Sequence, residues 1–239
     1  MSKVRREEQH AAIRAEIKGA ARRLMEKEGT AGVSIRAIGR EMDMTAPALY
    51  HYYASRDALI TDLILDAFGA LADHLEQTRQ DCRKLTAVQQ LRHVLLAYRA
   101  WALSYPIDFQ LIYGNPIPGY EAPEESTTPA ATRSFIVIAS LIAQVMETPE
   151  FSPEAEYSRV PPELAPHFQA LGLQLQEMGV NLPQLALYLT TVGWPLIHGI
   201  IMLELFNHLQ PVVGDVDVLY RSEIENLLRR MGMQAQITK

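Results

Sequence analysis

The sequence predicts an all-α protein, with a small three-helix head at the N-terminus and a larger helical body after it. Apolar residues recur at helical spacing along most of the 239 residues, and cap-forming residues stand before several of these runs. No stretch of convincing length alternates apolar and polar residues as a strand would. These observations place the head in residues 1–54 and the body in residues 55–239.

The first helix of the head is predicted to run from about His10 to Glu28, followed by Gly29 as its C-cap. One face of this segment is apolar at helical spacing, and charged residues occupy the other face. The apolar positions are Ile13, Ile17, Ala20, Ala21, Leu24 and Met25.

Two short helices separated by a tight turn are predicted next. Ser34 is expected to cap the second helix, and Gly39 leaves room for a crossing helix to approach closely. Thr45 is expected to cap the third helix, which places Pro47 in the first turn, where a missing N–H costs no hydrogen bond. The segment at residues 46–54 is too short to hold a core of its own, so the other helices must present it. Such an arrangement is typical of a helix-turn-helix that reads DNA.

A long helix is predicted from Ser55, as its N-cap, to about Gln80, with Asp57 in an acidic first turn. At about 1.5 Å per residue it would measure roughly 40 Å and connect the head to the body. Residues 114–129 are rich in proline and glycine, so we expect a loop there, of a length that is either functional or mobile. The remaining helices are predicted at residues 87–104, 108–113, 135–146, 164–178, 183–209 and 215–231.

The segment Leu49-Tyr-His-Tyr-Tyr-Ala-Ser-Arg-Asp-Ala-Leu59 resembles a stretch of the tetracycline-repressor (TetR) family of transcriptional regulators. In that family the stretch typically runs Leu-Tyr-x-His-Phe-x-Ser-Lys-x-x-Leu. Tyr52, Tyr53 and Arg56 depart from the pattern but keep the size and polarity that it needs. The resemblance implies that Thr45, Ala46, Pro47, Ala48 and His51 face base edges, and that Tyr50, Tyr52 and Arg56 face phosphates.

Charge is divided unevenly between the two ends of the chain. Residues 1–60 hold 11 Lys and Arg against 8 Asp and Glu, whereas the remainder holds 11 against 20. The net charge of −6 argues against a surface that coats nucleic acid as a whole, and a modestly basic head on an acidic body fits a local DNA site. Arg36 joins the predicted DNA-binding residues, as do Arg5 and Arg6. Together with Lys3, these two residues precede the predicted first helix, where we expect either an arm over the DNA backbone or minor groove, or a disordered terminus that only aids solubility.

The composition predicts a cytoplasmic protein without a membrane-spanning segment. The single Cys82 provides no disulfide framework, and the first residues do not resemble a signal peptide. The longest apolar run, near residues 192–203, is interrupted by Pro195 and His198 and is shorter than the roughly 20 residues that a span needs.

The segment Val192-Gly-Trp-Pro-Leu-Ile-His-Gly-Ile200 looks like the Trp-His-Gly (WHG) motif that names one class of TetR-type C-terminal domains. Trp194 and His198 lie four residues apart on one helix face, and Pro195 between them removes a backbone hydrogen bond. The class implies a small-molecule cavity, whereas core packing remains the alternative role for its aromatic residues. We predict ligand contacts from Trp101, Tyr105, Phe109, Tyr113, Trp194, His198 and Met202.

The last two helices are predicted to pair with their copies in a homodimer, as the resemblance implies. One short reading helix makes few base contacts, whereas a twofold dimer presents two, about 34–36 Å apart or at a multiple of that distance. We therefore predict a ligand-responsive transcriptional repressor, with activation as a variant. It would bind a palindromic operator in double-stranded DNA and be released by a small-molecule effector.

An enzyme and a protein-binding scaffold are the alternatives from other classes. The chain lacks His-Glu-x-x-His, Gly-x-Gly-x-x-Gly and Gly-x-Ser-x-Gly motifs, so neither catalysis nor a cofactor is predicted. An enzyme would use His198 with nearby carboxylates, and a scaffold would pair its last helices with another protein. The nearest metal-like set is His198, Glu204 and His208, but His198 points away from the other two, so no metal site is predicted.

Overall fold

The computed structural model describes residues 3–233. Within that range the chain is helical, with two short 3-10 turns and no strand, so the predicted all-α class is confirmed. The helices are α1 (Lys3–Glu28), α2 (Ile35–Glu41), α3 (Ala46–Tyr50), α4 (Arg56–Asp81), α5 (Ala87–Ser104), α6 (Pro106–Tyr113), α7 (Glu124–Met146), α8 (Ala165–Glu177), α9 (Gln184–Leu205), α10 (Gln210–Val213) and α11 (Val216–Arg230).

The helices pack into two compact units. The first unit comprises the chain up to Ala70 together with Tyr105–Ala131, and the second comprises Leu71–Ser104 together with the chain from Thr132. Helices α4 and α7 contribute residues to both units. These packing units do not coincide with the division between residues 54 and 55, which stays a prediction about function.

The core of the first unit forms where α1, α2, α3 and the start of α4 turn their apolar faces inward. Ile17, Ile38, Leu49, Leu59 and Leu63 are at most 1% exposed. Burial of a large aliphatic side chain contributes about 1.5–3 kcal/mol relative to exposure, so this cluster holds the short α2 and α3 in place. Neither helix is long enough to be stable by itself.

The helix caps expected in the first unit are confirmed. The Ser34 hydroxyl accepts from the Ala37 amide at 3.1 Å, and the Thr45 hydroxyl accepts from the Ala48 amide at 3.4 Å. The hydroxyl of Ser55 caps α4 in the same way, 3.0 Å from the amide nitrogen three residues later. Each bond satisfies one of the amides that the first turn of a helix leaves without a partner.

Gly39 permits a close approach, as the sequence predicts. The group that approaches it is the backbone carbonyl of Met44 in the following turn, not a crossing helix. A Cβ at this position would lie 2.7 Å from the carbonyl oxygen of Met44. The Met44 amide in turn donates to the Gly39 carbonyl at 2.8 Å. Asp43, with a left-handed φ of 55°, makes the tight turn between α2 and α3 possible.

The predicted start of the first helix at His10 is wrong, because α1 begins at Lys3. Residues 4–9 lack an apolar stripe but consist mainly of Arg, Glu and Gln, which favour helix by intrinsic propensity. Arg5 and Arg6 are therefore exposed residues of a helix. Neither an extended arm nor a disordered terminus describes them.

The predicted loop at residues 114–129 is too long, because α7 begins at Glu124 instead of residue 135. The Pro123 carbonyl accepts from the amides of Ser126 and Thr127, each at 3.1 Å, and so starts the helix. Pro129 lies in the second turn, where it removes one intrahelical hydrogen bond. The buried apolar residues further along α7 stabilise the helix despite that loss.

Helix α9 is shorter than the predicted segment 183–209 and ends at Leu205. Asn207 takes a left-handed φ of 57°, which ends the helix before the separate turn α10. The stretch between α7 and α8 lies against the end of α11, where the Glu154 amide donates to the Arg230 carbonyl at 3.0 Å.

A mostly buried ion pair ties α5 to α9 in the second unit. Arg99 donates to both carboxylate oxygens of Glu204, at 2.7 and 2.6 Å, and to Asp217 of α11 at 2.7 Å. The Arg99 guanidinium also lies 5.3 Å from the ring centre of the buried Tyr220. Three helices are thus joined through one side chain.

Two helices are long and apolar enough to cross a membrane by length and composition alone, namely α7 and α9. Core helices pass the same test, and half of the most apolar part of α9 is buried inside the protein. The two helices are therefore weak evidence for a membrane span.

Candidate functional site

The short helix α3 presents a row of side chains to solvent. The residues predicted to read DNA differ in exposure along this row. Thr45, Pro47, Tyr50 and His51 are exposed, whereas Ala46, Ala48 and Tyr52 are partly exposed.

Two buried residues fix this row to the first unit. Leu49 is 1% exposed and Tyr53 is 3% exposed. The Tyr53 hydroxyl donates to Asp62 of α4 at 2.6 Å, and the Arg14 guanidinium lies 4.6 Å from the centre of the Tyr53 ring. Burial, together with the neighbouring carboxylate of Asp62, raises the pKa of Tyr53 to about 12, so the hydroxyl remains a donor at neutral pH.

Asp62 receives more than one hydrogen bond. Besides the bond from Tyr53, the Arg14 guanidinium donates to it at 3.0 Å, and the Lys18 ammonium lies 3.5 Å away. Burial alone would raise the pKa of Asp62, but these donors and charges lower it. We call residues 45–53 the reading segment. The ionised carboxylate of Asp62 therefore holds α1, α4 and the end of this segment together.

A ladder of ion pairs continues this contact along α1. Lys18 lies 2.6 Å from Asp66, and Arg22 lies 2.8 Å from Asp108 of α6 and 3.8 Å from Asp66. This ladder was not predicted from the sequence, although Arg14, Lys18 and Arg22 recur every four residues. The acidic partners Asp62 and Asp66 have the same spacing, so they share one face of α4.

Cations also lie beside the exposed row. Arg36 and Arg40 of α2 are exposed, and both border a surface depression that reaches Thr45 and Ala46. Arg40 was not among the residues predicted from the sequence to bind DNA. Arg56, predicted to face a phosphate, is half-buried and donates from Nε to the Val33 carbonyl at 2.7 Å.

The aromatic residues predicted to bind ligand fall into both units. Tyr105, Phe109 and Tyr113 belong to the first unit, whereas Trp101 and the residues of α9 belong to the second. Phe109 is fully buried, with its ring 5.2 Å from that of Tyr113, while Tyr105 is 54% exposed.

In the second unit, Trp194, Tyr98 and His198 form a chain of hydrogen bonds. The Trp194 indole donates to the Tyr98 hydroxyl at 3.4 Å, which leaves the Tyr98 hydrogen for His198 Nδ1 at 3.1 Å. Burial lowers the pKa of His198, which favours the neutral ring that can accept this bond. Trp101 is 3% exposed and Trp194 is 45% exposed, while Met202 is partly exposed.

A cavity of about 370 Å³ lies in the first unit, between α4, α6, the following loop and α7. No charged residue lines it, and none of the predicted ligand residues does. Tyr113 lies behind the lining residue Phe68, and the centres of their two rings are 5.8 Å apart. The lining consists of Ile64, Phe68, Leu111, Ile112, Gly114, Asn115, Pro116, Ile117, Tyr120, Ala122, Thr127, Thr128 and Ala131.

Comparison with known proteins identifies the two halves of the chain. Residues 17–63 match the family described as bacterial regulatory proteins, tetR family. Residues 91–227 match the tetracyclin repressor-like C-terminal domain, and this match alone spans more than half of the chain. The chain belongs to the TetR family. This confirms the family that residues 49–59 resemble and the helix-turn-helix head predicted in residues 1–54, whereas the WHG class stays a prediction.

Individual relatives of this TetR-family chain agree with that assignment. The HTH-type transcriptional regulators Mb1846 of Mycobacterium bovis and Rv1816 of Mycobacterium tuberculosis are each 40% identical to it over 121 residues. The match covers 51% of this chain and 52% of each relative, so the chain spans about half the length of the curated relatives it matches. Neither the family nor these names describe an enzyme, in agreement with the prediction.

Solved structures share the fold of this TetR-family chain. The structure of SCO4313 is 30% identical and has a TM-score of 0.72, covering 93% of this chain and 98% of that one. A tetR-family regulatory protein from Rhodococcus RHA1 has a TM-score of 0.62 at 15% identity, covering 93% and 98% of the two chains. At that identity the likeness shows the fold alone.

The metal-like set considered in the sequence has another role in this TetR-family chain. Glu204 is held by Arg99 through two hydrogen bonds. His198 shares its bond with Tyr98. Across residues 3–233, no group of three or more His, Cys, Asp or Glu side chains is arranged to hold a metal ion.

Proposed function

We propose that this TetR-family chain is a cytoplasmic transcriptional repressor that binds a palindromic DNA operator as a homodimer and is released by a small-molecule effector. The exposed row of α3, anchored by Leu49 and Tyr53, carries the proposal. A short helix with an exposed row of side chains and flanking arginines fits the major groove, where base edges are read. Arg36 and Arg40 lie where they can meet the phosphates beside that groove.

The outward face of α9 supports the dimer. One side of α9 carries Leu196 and Leu203, which are 40% and 45% exposed. Phe206, the residue that follows the helix, is 49% exposed. Exposed apolar residues grouped in this way favour a protein contact. The outward side of α11 is more polar, with the exposed Arg221 and Glu225 beside one exposed apolar residue, Val218. We therefore assign the apolar centre of the interface to α9, and a polar rim to α11.

The effector that we propose is a neutral, largely apolar molecule bound in the cavity of the first unit. The cavity volume of about 370 Å³ lies within the range of about 300–1,000 Å³ for ligand pockets. Its lining is uncharged and offers polar groups at Asn115, Tyr120 and Thr128. An ionic ligand would find no counter-charge among the lining residues. The aromatic group around Trp194 and His198 remains the alternative effector site.

Release requires that the effector prefer one conformation over another. Helix α6 lines the cavity through Leu111 and Ile112 and carries Asp108, which is paired with Arg22 of α1. An effector that shifts α6 would act on α1 through this pair, and so on the reading segment that α1 supports. In the dimer, the two reading helices would then change their separation, and operator affinity would fall.

The DNA-binding part of the proposal is tested by selection from a random duplex pool, followed by size measurement in solution. The wild type is expected to enrich an inverted repeat and to be a dimer. Leu203→Glu on α9 is expected to give a monomer with weak operator binding, because it would bury an unpaired charge in the interface. Leu173→Glu on α8, at a residue that is 56% exposed, is the matched control and is expected to stay dimeric. A dimeric Leu203→Glu variant would contradict the assigned interface.

The effector is sought by release of a fluorescent operator duplex in the presence of neutral and anionic aromatic compounds. We expect release by neutral compounds only. Ala131→Phe narrows the cavity and is expected to abolish that release while leaving operator binding intact. If the same compounds release the operator from both the wild type and the Ala131→Phe variant, the effector binds outside this cavity.

A further inference from the structure

Three aromatic rings meet where α1 passes the C-terminal end of α3. The ring centres of His10 and Tyr52 are 4.8 Å apart, and those of His51 and Tyr52 are 5.3 Å apart. The rings of His10 and His51 are 6.0 Å apart in an edge-to-face arrangement. His10 comes from α1, whereas the other two residues belong to the reading segment.

The reading segment needs support at this point because regular helix has already ended. Helix α3 stops at Tyr50, and His51 and Tyr52 form a turn in which the Tyr52 amide donates to the Leu49 carbonyl at 2.9 Å. The backbone therefore fixes the position of both residues, but not the direction of their rings. His51 is exposed, and Tyr52 packs against the apolar core but stays partly exposed, so the core restrains the Tyr52 ring only in part.

Helix α1 supplies that support through two residues one turn apart. The His10 ring lies against the Tyr52 ring at an interplanar angle of 37°, and Arg14 lies over the ring of Tyr53, 4.6 Å from its centre. Both supporting residues border a shallow depression on α1. His10 is only half-buried, and its ring contacts are with His51 and Tyr52 of the reading segment.

We propose that His10 is a positioning residue of the DNA-reading surface, which sets the ring directions of Tyr52 and His51 and thereby sharpens sequence preference without touching DNA itself. This inference rests on the proposed roles of His51 and Tyr52 at the operator. Aromatic pairs with this geometry alter an equilibrium by about 2- to 10-fold. The effect belongs to the cognate duplex, because nonspecific binding depends mainly on phosphate charge.

The test compares the duplex enriched by the wild type from a random pool with a scrambled duplex of the same length. His10→Ala is expected to weaken binding to the enriched duplex by about 2- to 10-fold and to leave the scrambled duplex unchanged. His10→Phe keeps a ring on Tyr52 and is expected to restore wild-type affinity. Gln9→Ala, at the exposed neighbouring position, is the matched control and is expected to behave as wild type. A second selection with His10→Ala is expected to give a less defined sequence.

Several results would overturn the proposal. An equal loss on both duplexes, or a lower thermal midpoint that accounts for the loss, would assign His10 a structural role. If His10→Phe does not restore affinity for the enriched duplex, an aromatic ring at position 10 is not enough to orient Tyr52. If the wild type enriches a duplex and His10→Ala binds it equally well, only the positioning role fails. If the wild type enriches no duplex, the proposed function fails and this inference with it.

Discussion

Arg22 of α1 donates from Nε to Oδ1 of Asp108 on α6 across 2.8 Å, and the Asp108 side chain is only 13% exposed. The same guanidinium lies 3.8 Å from Asp66 of α4. One arginine thus joins three helices of the first unit. Since α1 supports the reading segment and α6 lines the uncharged cavity, this pair is a direct polar link between the two proposed sites.

Asp108→Ala is expected to lower the free energy of unfolding by about 2 kcal/mol, because it removes a partly buried, charge-assisted hydrogen bond. Arg133→Ala is the control, since Arg133 pairs with Asp73 and Glu76 at exposed positions. Exposed pairs contribute at most about 1 kcal/mol. Urea unfolding of both variants measures the difference. Equal losses would show that the link to α6 is no stronger than a surface pair.

Acid is expected to weaken the contact between α1, α4 and the reading segment through Asp62. Its pKa in the folded protein lies below the ordinary value of 3.8, so the ionised form is favoured by folding. The resulting stability is complete above that ordinary value and is lost as the pH falls through the lower folded pKa. Asp62→Asn should therefore differ most from wild type at neutral pH, and progressively less below about pH 4.

Unfolding free energies measured from pH 7 to pH 3 test this expectation. Asp73→Asn provides a control on the same helix, because the Asp73 side chain is 70% exposed where it pairs with Arg133. At neutral pH, Asp73→Asn should lower the free energy of unfolding less than Asp62→Asn does. A gap between wild type and Asp62→Asn that stays constant down to pH 3 would exclude ionised Asp62 as the source.

Local features of the first unit were predictable from the sequence. The caps at Ser34, Thr45 and Ser55 depend on a hydroxyl and an amide three residues away, so nothing distant decides them. The close approach at Gly39 was also visible as a glycine inside an apolar helix. The arrangement of these caps already indicated a helix-turn-helix, and the family resemblance over residues 49–59 added which residues are expected to face base edges and phosphates.

Features that depend on distant contacts were missed. Prolines around residue 123 indicated a loop, yet α7 begins at Glu124, and Ala130 and Ala131 on its early turns pack against the core of the first unit. The pair Arg22 and Asp108 joins positions 86 residues apart, and only the folded chain brings them together. The uncharged cavity likewise needs α4, α6 and α7 side by side, so the sequence pointed instead to the aromatic residues near His198.

Two glycines are expected to respond to alanine with opposite signs. At Gly39 an added Cβ would lie 2.7 Å from the Met44 carbonyl oxygen, so Gly39→Ala should cost about 1–3 kcal/mol and weaken DNA binding. At Gly69 in α4 an added Cβ meets nothing within 4 Å, so Gly69→Ala should stabilise by about 0.5–1 kcal/mol. Thermal unfolding distinguishes the two. A tolerated Gly39→Ala would mean that the turn before α3 can relax.

Arg36→Ala and Arg56→Ala are expected to separate phosphate contact from structural support. Arg36 is exposed, so its loss should weaken binding to all duplexes alike and reduce the salt slope by about 1 without changing stability. Arg56 also donates to the Val33 carbonyl at 2.7 Å, so its loss should reduce the slope and cost about 1 kcal/mol of stability.

His51→Ala is the reference for base reading, because it should relax sequence preference and leave the salt slope unchanged. Arg83→Ala, at an exposed position after α4, is the control cation and should alter neither quantity. Binding is measured on the enriched and scrambled duplexes over a range of salt concentrations. If Arg56→Ala lowers stability but keeps the full slope, Arg56 acts through Val33 alone, and the phosphate contact belongs to other cations such as Arg36 and Arg40.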